Sequence, residues 1–316
     1  MNPMPDGLFL LGALMTWLNP LWMVAVGVAG AVALLFGLFY LVQLPAPKIA
    51  AVAWATAKEA LSQPLFYVLL AIGVFALLLF PFIPYNTFGE DVKVVKDTGL
   101  TFIMVLSIML ALWTASVSVA DEIEGRTALT VLSKPIGRRS FILGKFLGIV
   151  GSVAILFIVL GALFLATVSY KVVYDARESC LPEPTQQECL DSMVQIVPGL
   201  TLALLEAVVL TSISVAIATR LSMMPNLIIC LSIYVLGHLV PMLMNSAVGQ
   251  FEIVAFVAGV FATILPVLDH FNIYAAISTG KEVPWSYVAW AGVYCALYSS
   301  VAMLLALLAF ENRDLA

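Results

Sequence analysis

Charged side chains are scarce in this chain of 316 residues, where lysine, arginine, aspartate and glutamate together make up only 10%. Soluble domains typically carry about 25% charged residues. Apolar residues make up 63% of the sequence, and no soluble fold could hide that much apolar surface. The net charge of −5 gives no basic surface of the kind that binds nucleic acid. The composition therefore predicts an integral membrane protein with no nucleic-acid partner.

Several chemical motifs are also missing. Two histidines and four cysteines form neither a CxxC nor an HExxH pattern, so we predict no metal site. A phosphate-binding loop needs GxxxxGK[S/T], whose backbone N–H groups cradle phosphates. The nearest match, Gly137 to Gly144-Lys145, has the wrong spacing and is followed by Phe146. The segment Met1–Gly7 lacks the lysine or arginine of a secretory signal. Because the GxxxxGK[S/T] motif is missing, the chain is not expected to hydrolyse ATP by means of a phosphate-binding loop.

Seven apolar runs are long enough to cross a bilayer, which takes about 20 residues of helix. Prolines stand at the start of five of them, where the missing N–H of proline leaves no helical hydrogen bond unmade. We therefore predict an all-α, polytopic helical bundle. The predicted spans are Leu21–Leu44, Leu65–Ile83, Gly99–Ala120, Phe146–Tyr170, Val197–Thr219, Asn226–Asn245 and Trp285–Phe310.

Two shorter apolar segments are treated separately. Leu8–Leu18 is too short to span and is predicted to lie at the interface. Phe251–Leu268 either forms an eighth span or dips into the membrane and returns, and we favour the second. With that topology and a cytoplasmic loop after the third span, nine of the fourteen basic residues lie inside. The sequence predicts a multi-pass protein of the plasma or inner membrane with its N-terminus outside.

The predicted cytoplasmic loop at 121–145 holds five of the fourteen basic residues. Its middle is amphipathic, and Pro135-Ile136-Gly137 then forces a turn. One interpretation is a simple positive-inside anchor. An anchor does not need Asp121, Glu122 and Glu124, whose charges favour the start of a helix. The alternative is a short helix on the cytoplasmic surface that docks a partner.

The same loop resembles the signature of type-2 ATP-binding-cassette (ABC) transporter permeases. Weaker matches follow the family's order at Ala57–Leu61, where the family has an amphipathic elbow helix, at Leu265–Asn272 and at Phe310–Asp314. The likeness runs roughly from Lys48 to Asp314. The matching residues in the loop are Glu124-Gly125-Arg126-Thr127, Leu132-Ser133-Lys134-Pro135-Ile136, Arg138-Arg139 and Leu143-Gly144-Lys145.

The resemblance implies a division of the chain into two parts. Residues 1–47 would hold the interfacial segment and one extra span, to which no role is assigned. Residues 48–316 would form a six-span permease domain, with a re-entrant extracellular segment before its last span. The family's coupling helix corresponds to the loop, and the residues expected to contact the ATPase are Glu122, Glu124, Gly125, Arg126, Thr127, Leu132, Lys134 and Pro135.

A transport function follows from the same likeness. Each permease of the family supplies half of a membrane pathway, so a second copy or a related chain would complete a homodimer or heterodimer. ATP and Mg²⁺ would bind to a separate ABC ATPase subunit, and this chain, itself no enzyme, would need no cofactor. Export is favoured over import, and no motif selects a substrate. The alternatives are an ion-coupled secondary transporter, an intramembrane enzyme and a membrane scaffold for a soluble complex.

Two ionisable residues lie within predicted spans, which marks them as functional candidates because charge is costly in the membrane. Glu206 lies sixteen residues before Ser222, and His238 sixteen residues after it. An antiparallel hairpin with its turn near Ser222 would bring both to similar depth, since each residue rises about 1.5 Å. We predict that they pair or share a polar cavity. A structural pair and a role in substrate passage both remain open.

Three further patterns are noted. Cys180 and Cys189 share one predicted outer loop, where an oxidising exterior would allow a disulfide, although spacing does not establish its geometry. The other two patterns are each interpreted as helix packing, with a pathway lining or an apolar substrate surface as the alternative. They are a small-residue stripe at Ser107, Ala111, Thr114 and Ser118, and an aromatic stripe at Tyr287, Trp290, Tyr294 and Tyr298.

Overall fold

A computed structural model describes residues 16–83, 85, 90–121, 137–179, 182–244, 251–273, 276–277 and 280–311. These residues form helices and connecting turns, with no strand among them. Seven of the helices are long and apolar enough to cross a membrane. One such helix lies over each predicted span, so the all-α, multi-pass architecture is confirmed.

The described ranges contain ten α-helices, and seven of them, α1, α3, α4, α5, α7, α8 and α10, each form the main part of one candidate span. Short 3-10 turns follow at Phe80–Phe82 and Leu268–Phe271, and a π-helical segment covers Ser116–Asp121. The helices are α1 (Leu21–Gln43), α2 (Pro47–Ser62), α3 (Pro64–Leu79), α4 (Asp91–Ala115), α5 (Arg138–Glu178), α6 (Gln186–Val194), α7 (Val197–Ala218), α8 (Met223–Met244), α9 (Glu252–Ile264) and α10 (Trp285–Glu311).

The bundle has two ends, which we name by the loop between α4 and α5. At the loop end, Arg138 Nη1 donates to the Glu311 carbonyl over 3.0 Å, which joins the start of α5 to the end of α10. At the far end, Ser169 Oγ donates to the Trp17 carbonyl over 3.0 Å. The residues before α1 and the end of α10 therefore lie at opposite ends, as seven spans require.

Helix α5 is much longer than the predicted span Phe146–Tyr170. Its 41 residues extend about 60 Å, against a hydrocarbon core of about 30 Å. The predicted span was too short because polar side chains continue the helix at both ends. Lys145 pairs with Glu59 over 3.6 Å at the loop end, and Lys171 pairs with Asp91 over 3.4 Å at the far end.

The amphipathic helix α2 packs against the loop-end half of α5, through two glycines four residues apart. A Cβ atom at Gly148 would lie 2.5 Å from the Ala53 carbonyl oxygen and 2.6 Å from Thr56 Cβ. A Cβ at Gly144 would lie 2.6 Å from Val52 Cβ. Glycines at this spacing let two helix backbones approach closely in membranes. The two glycines therefore let α2 pack closely against the loop-end half of α5.

Helices α4, α5 and α7 form the buried core, whereas α1 and α8 are mostly exposed. The small-residue stripe of α4 belongs to this core. Ser107 and Thr114 are fully buried, and each hydroxyl donates to the carbonyl four residues earlier, over 2.8 and 2.7 Å. Ala111 is buried as well. The stripe therefore packs helices together, in agreement with the first of its two interpretations.

The segment after α8 holds one short helix and then runs beside α10. Helix α9 has 13 residues and extends about 20 Å, too short to span. Three hydrogen bonds show that the residues after α9 run alongside α10 toward its start. The Ile264 carbonyl accepts from Tyr298, the Val267 N–H donates to Tyr294, and the His270 carbonyl accepts from Tyr287. These tyrosines lie progressively nearer the start of α10, so the chain turns back toward the far end after α9. The re-entrant topology of Phe251–Leu268 stays a prediction.

Candidate functional site

The residues predicted to contact an ATPase lie outside the described residues. They are Glu122, Glu124, Gly125, Arg126, Thr127, Leu132, Lys134 and Pro135, and their role stays a prediction. Both flanks of this stretch are described. The π-helical segment Ser116–Asp121 leads into it, and α5 begins immediately after Gly137. The loop therefore joins two helices whose ends are packed at the loop end of the bundle.

The α7–α8 hairpin brings Glu206 and His238 together. His238 Nε2 lies 3.5 Å from Glu206 Oε1, so the proximity predicted from their spacing is confirmed. The Glu206 side chain is 1% exposed, and its Oε1 accepts no hydrogen bond from the described residues. The turn at Thr219–Ser222 is short, which holds the two helices antiparallel and sets both residues at the same depth.

The hydrogen bond at the second nitrogen of the imidazole determines where the pair can hold a proton. His238 Nδ1 lies 3.2 Å from the Tyr234 carbonyl oxygen, and a proton on Nδ1 donates to it. Nε2 then faces the carboxyl group of Glu206. A proton on Nε2 or on Oε1 would face the other group, as an ion pair or as a neutral acid beside a neutral imidazole. The arrangement can take up, hold or pass on a single proton.

His238 also faces outward from the bundle. Its side chain is 26% exposed. It lies on the spanning helix α8, and only 17% of the apolar part of that helix is buried. Ionisable side chains in spans face protein or water-filled cavities rather than lipid. Among the described residues, the polar groups that contact the His238 ring are the Glu206 carboxyl and the Tyr234 carbonyl, and part of the ring stays exposed.

The aromatic stripe of α10 has a polar role that the sequence did not indicate. A re-entrant turn exposes backbone N–H and C=O groups at membrane depth, where each must find a partner. The hydroxyls of Tyr287, Tyr294 and Tyr298 supply three such partners, over 2.7, 3.0 and 3.4 Å. Trp290 is 74% exposed and does not share this role. The stripe thus fixes the re-entrant segment rather than only packing.

The far end carries an acidic cluster that sequence reasoning missed. Carboxylate oxygens of Asp91, Asp175 and Glu178 lie within 4.8 Å of one another, a spacing that could hold a cation. The Lys171 ammonium, 1% exposed, already pairs with Asp91 and lies 5.2 Å from the Tyr174 ring. A lysine at this position supplies the positive charge that such a cluster needs. The cluster therefore serves to join α4 to α5.

The proposed disulfide falls partly outside the described residues, because Cys180 is not among them. Cys189 lies on α6 and is fully buried. Helix α6 begins with a capping box in which Thr185 and Glu188 exchange hydrogen bonds, and it packs against α5. These contacts order the far end without requiring a disulfide, which stays a prediction.

The described residues thus bring one acid–base pair together between α7 and α8, with Glu206 buried and His238 partly exposed. No protein-family model matches this chain, and no curated protein matches it.

Proposed function

We propose that this protein is the membrane-spanning permease subunit of an ATP-driven ABC exporter. In this proposal the loop at 121–145 is cytoplasmic and binds a separate ATPase subunit, which holds ATP and Mg²⁺. The chain supplies half of the translocation pathway, and a second permease copy supplies the other half. The seven candidate spans place the protein in a membrane, and we assign it to the plasma or inner membrane.

The order of the helices is the observation that carries the proposal. The amphipathic helix α2 comes first, six candidate spans follow it, and the re-entrant α9 stands before the last one. The signature loop lies between the second and third of these six spans. This is the order that the resemblance to type-2 ABC permeases implies for residues 48–316, with α1 as the extra span.

The exposed face of α8 supports the pairing of two permeases. Helix α8 is mostly exposed in the single chain, and it carries the partly exposed His238 in its second half. Because lipid does not solvate an imidazole, this face needs a hydrated pathway or a second chain against it. A dimer with α8 near its axis would provide both.

Co-purification tests the proposal directly. The tagged full-length chain, isolated from its native membrane, is expected to bring with it a protein containing GxxxxGK[S/T]. Glu124→Lys or Gly125→Pro is expected to abolish this association without reducing the amount of chain in the membrane. The matched control is Glu282→Lys, which makes the same charge reversal at an exposed residue of the far end.

The comparison of Glu124→Lys with Glu282→Lys has three distinguishable outcomes. Loss of the ATPase in Glu124→Lys together with its retention in Glu282→Lys supports docking through the loop. Equal retention in both variants would remove the coupling role from the loop. Isolation of the intact chain with no such ATPase would contradict the proposal as a whole.

An ion-coupled secondary transporter is the second candidate, and the Glu206–His238 pair is the observation that favours it. A buried pair that holds one proton is the kind of element that proton-coupled carriers use. Purified chain in liposomes, with no ATPase present, would then move protons or substrate along an imposed pH gradient. Glu206→Gln should abolish that flux. Normal flux in Glu206→Gln at normal expression would make the pair purely structural.

A further inference from the structure

A buried polar network joins three elements at the loop end of the bundle. The Asn226 side-chain amide donates to Ser116 Oγ over 2.8 Å and to Ser214 Oγ over 3.0 Å. Its carbonyl oxygen accepts from the Cys230 thiol over 3.3 Å. All four side chains are fully buried. Ser116 in turn donates to the Leu112 carbonyl over 2.8 Å.

The three elements differ in what lies next to them in the chain. Ser116 opens the π-helical segment that ends at Asp121, where the loop begins. Ser214 is on α7 and Asn226 on α8, the two helices of the hairpin that carries Glu206 and His238. Asn226 is thus the residue through which the base of the loop is hydrogen-bonded to both helices of the hairpin.

Two features set this network apart from ordinary helix packing. Each amide proton of Asn226 has one acceptor, on a different element in each case, so the geometry fixes all three positions together. The π-helical turn gives Ser116–Asp121 a backbone with a wider hydrogen-bonding pattern than the α-helix before it. Such turns are rare and occur mainly at functional sites. Hydrogen-bonded networks that join rigid elements are a physical route for coupling between distant sites.

We propose that Asn226 is a positioning residue that transmits movement of the loop to the α7–α8 hairpin. Displacement of the loop by a bound ATPase pulls on the π-helical segment, and Ser116 carries the displacement to Asn226. Because Asn226 also holds Ser214, α7 and α8 move as one body with the loop base. This inference rests on the proposed function and names the residue that links the ATPase to the pathway.

The predicted consequence concerns coupling rather than folding. In Asn226→Leu, the Ser116 hydroxyl keeps its bond to the Leu112 carbonyl, so the loss of the amide leaves this buried hydroxyl paired. Interhelical hydrogen bonds in membranes contribute little to stability on average. The variant should therefore fold and bind the ATPase, while the hairpin no longer follows the loop.

The experiment uses the complex of the full chain with its ATPase and needs no substrate. A reporter cysteine replaces Met242, which is 72% exposed on α8, sixteen residues beyond Asn226. The background variant is Cys180→Ser, and the other three cysteines are buried. The rate of reaction with a membrane-impermeant maleimide is measured with ATP and without nucleotide. ATP hydrolysis is measured on the same preparations.

In the otherwise native complex, ATP should change the reporter rate by about fivefold or more, the lower range of allosteric coupling. In Asn226→Leu, and in Ser116→Ala as a second variant, the change should fall below about twofold while hydrolysis continues. The matched control is Ser232→Ala on the same helix, whose exposed hydroxyl bonds only to its own helix, at the Ile228 carbonyl. It should retain the full response.

Each outcome decides something different. A full reporter response in Asn226→Leu and Ser116→Ala would overturn the role of Asn226 and leave the proposed function intact. Failure of the native complex to assemble would overturn both. A merely structural role of Asn226 would lower the yield or the melting temperature of the variants, but it would leave the nucleotide response of the assembled complex unchanged.

Discussion

His238 Nε2 on α8 lies 3.5 Å from Glu206 Oε1 on α7, and these are the only two residues in the described part of the hairpin's interior with this acid–base complementarity. The imidazole is oriented by the Tyr234 carbonyl, 3.2 Å from Nδ1. The two helices of the hairpin are therefore linked by the contact between Glu206 and His238 and, near the turn, by the hydrogen bonds of Asn226. The two contacts differ in exposure, since the Asn226 side chain is fully buried and the His238 side chain is 26% exposed.

The first prediction concerns the strength of this pair. A double-mutant cycle with Glu206→Leu and His238→Leu should give a coupling energy of about 0.6 kcal/mol and at most about 1.7 kcal/mol, the mean and the maximum measured for polar contacts between membrane helices. The free energy of unfolding in mixed micelles is the measurement. A cycle pairing Glu206→Leu with Ser300→Ala, an exposed serine of α10 bonded within its own helix, should give no coupling. Equal coupling in both cycles would mean that the pair contributes nothing specific.

The second prediction concerns the contact between α2 and α5. Gly148→Ala should destabilise the protein by about 1–3 kcal/mol, the usual range for overpacking. The reason is that the added Cβ meets the Ala53 backbone oxygen at 2.5 Å, which cannot move aside as a side chain would. The matched control is Gly292→Ala on α10, where no atom lies within 4 Å. That variant should leave the free energy of unfolding unchanged or slightly raised.

Much of this fold could be predicted from hydropathy. Each of the seven apolar runs became a helix, because backbone hydrogen bonds in lipid must be satisfied within the segment. The pairing of Glu206 with His238 also followed from spacing, since a short turn fixes the depth of both. The length of α5 did not follow. Hydropathy stops at Tyr170, while ion pairs such as Lys171–Asp91 extend the helix beyond the apolar run.

The parts that sequence reasoning missed depend on contacts between elements far apart in the chain. Nothing in the stripe Tyr287, Tyr294 and Tyr298 indicates that its hydroxyls bond to backbone groups 17, 27 and 34 residues earlier. Asn226 likewise stands among apolar residues at a helix start, and its partner Ser116 is 110 positions away. One signal was available for both, because a polar group inside a span must have a partner. The sequence alone did not identify the hydrogen-bond partner of either polar group.

The third prediction concerns the re-entrant turn. Tyr294→Phe removes the hydroxyl that accepts from the Val267 N–H, and it leaves that donor unpaired at membrane depth. The expected loss is about 1–3 kcal/mol in the free energy of unfolding. Faster hydrogen exchange at Val267 should accompany it. Tyr40→Phe is the control, because Tyr40 is 61% exposed on α1. Unchanged exchange in Tyr294→Phe would show that the turn is held by packing alone.

The fourth prediction compares two lysine pairs at the far end. Lys171→Met removes a 1% exposed ammonium from Asp91 and from the Pro81 carbonyl. Breaking a buried pair costs about 3–5 kcal/mol. Lys93→Met breaks the exposed pair with Glu90, for which the expected loss is below about 1 kcal/mol. Thermal unfolding of the two variants side by side measures the difference. Similar melting temperatures would mean that Lys171 is solvated.

The fifth prediction tests the re-entrant topology, on which the sidedness of the whole chain depends. Single cysteines at Phe251 and Lys281 flank the segment, and both positions are exposed. If the chain returns along Tyr298, Tyr294 and Tyr287, an impermeant thiol reagent should label both positions from the same side of sealed vesicles. A cysteine at Arg220, in the exposed turn between α7 and α8, should be labelled only from the other side.

Labelling of Phe251→Cys and Lys281→Cys from opposite faces would make the segment an eighth crossing. The end of α10 would then lie on the face opposite Arg220. That result would be hard to reconcile with the bond between Arg138 and the Glu311 carbonyl, because this bond holds the end of α10 beside the start of α5. Since α5 begins where the loop ends, the same labelling pattern also fixes the face on which an ATPase would have to dock. The topology of one short segment thus decides whether the coupling proposal is geometrically allowed.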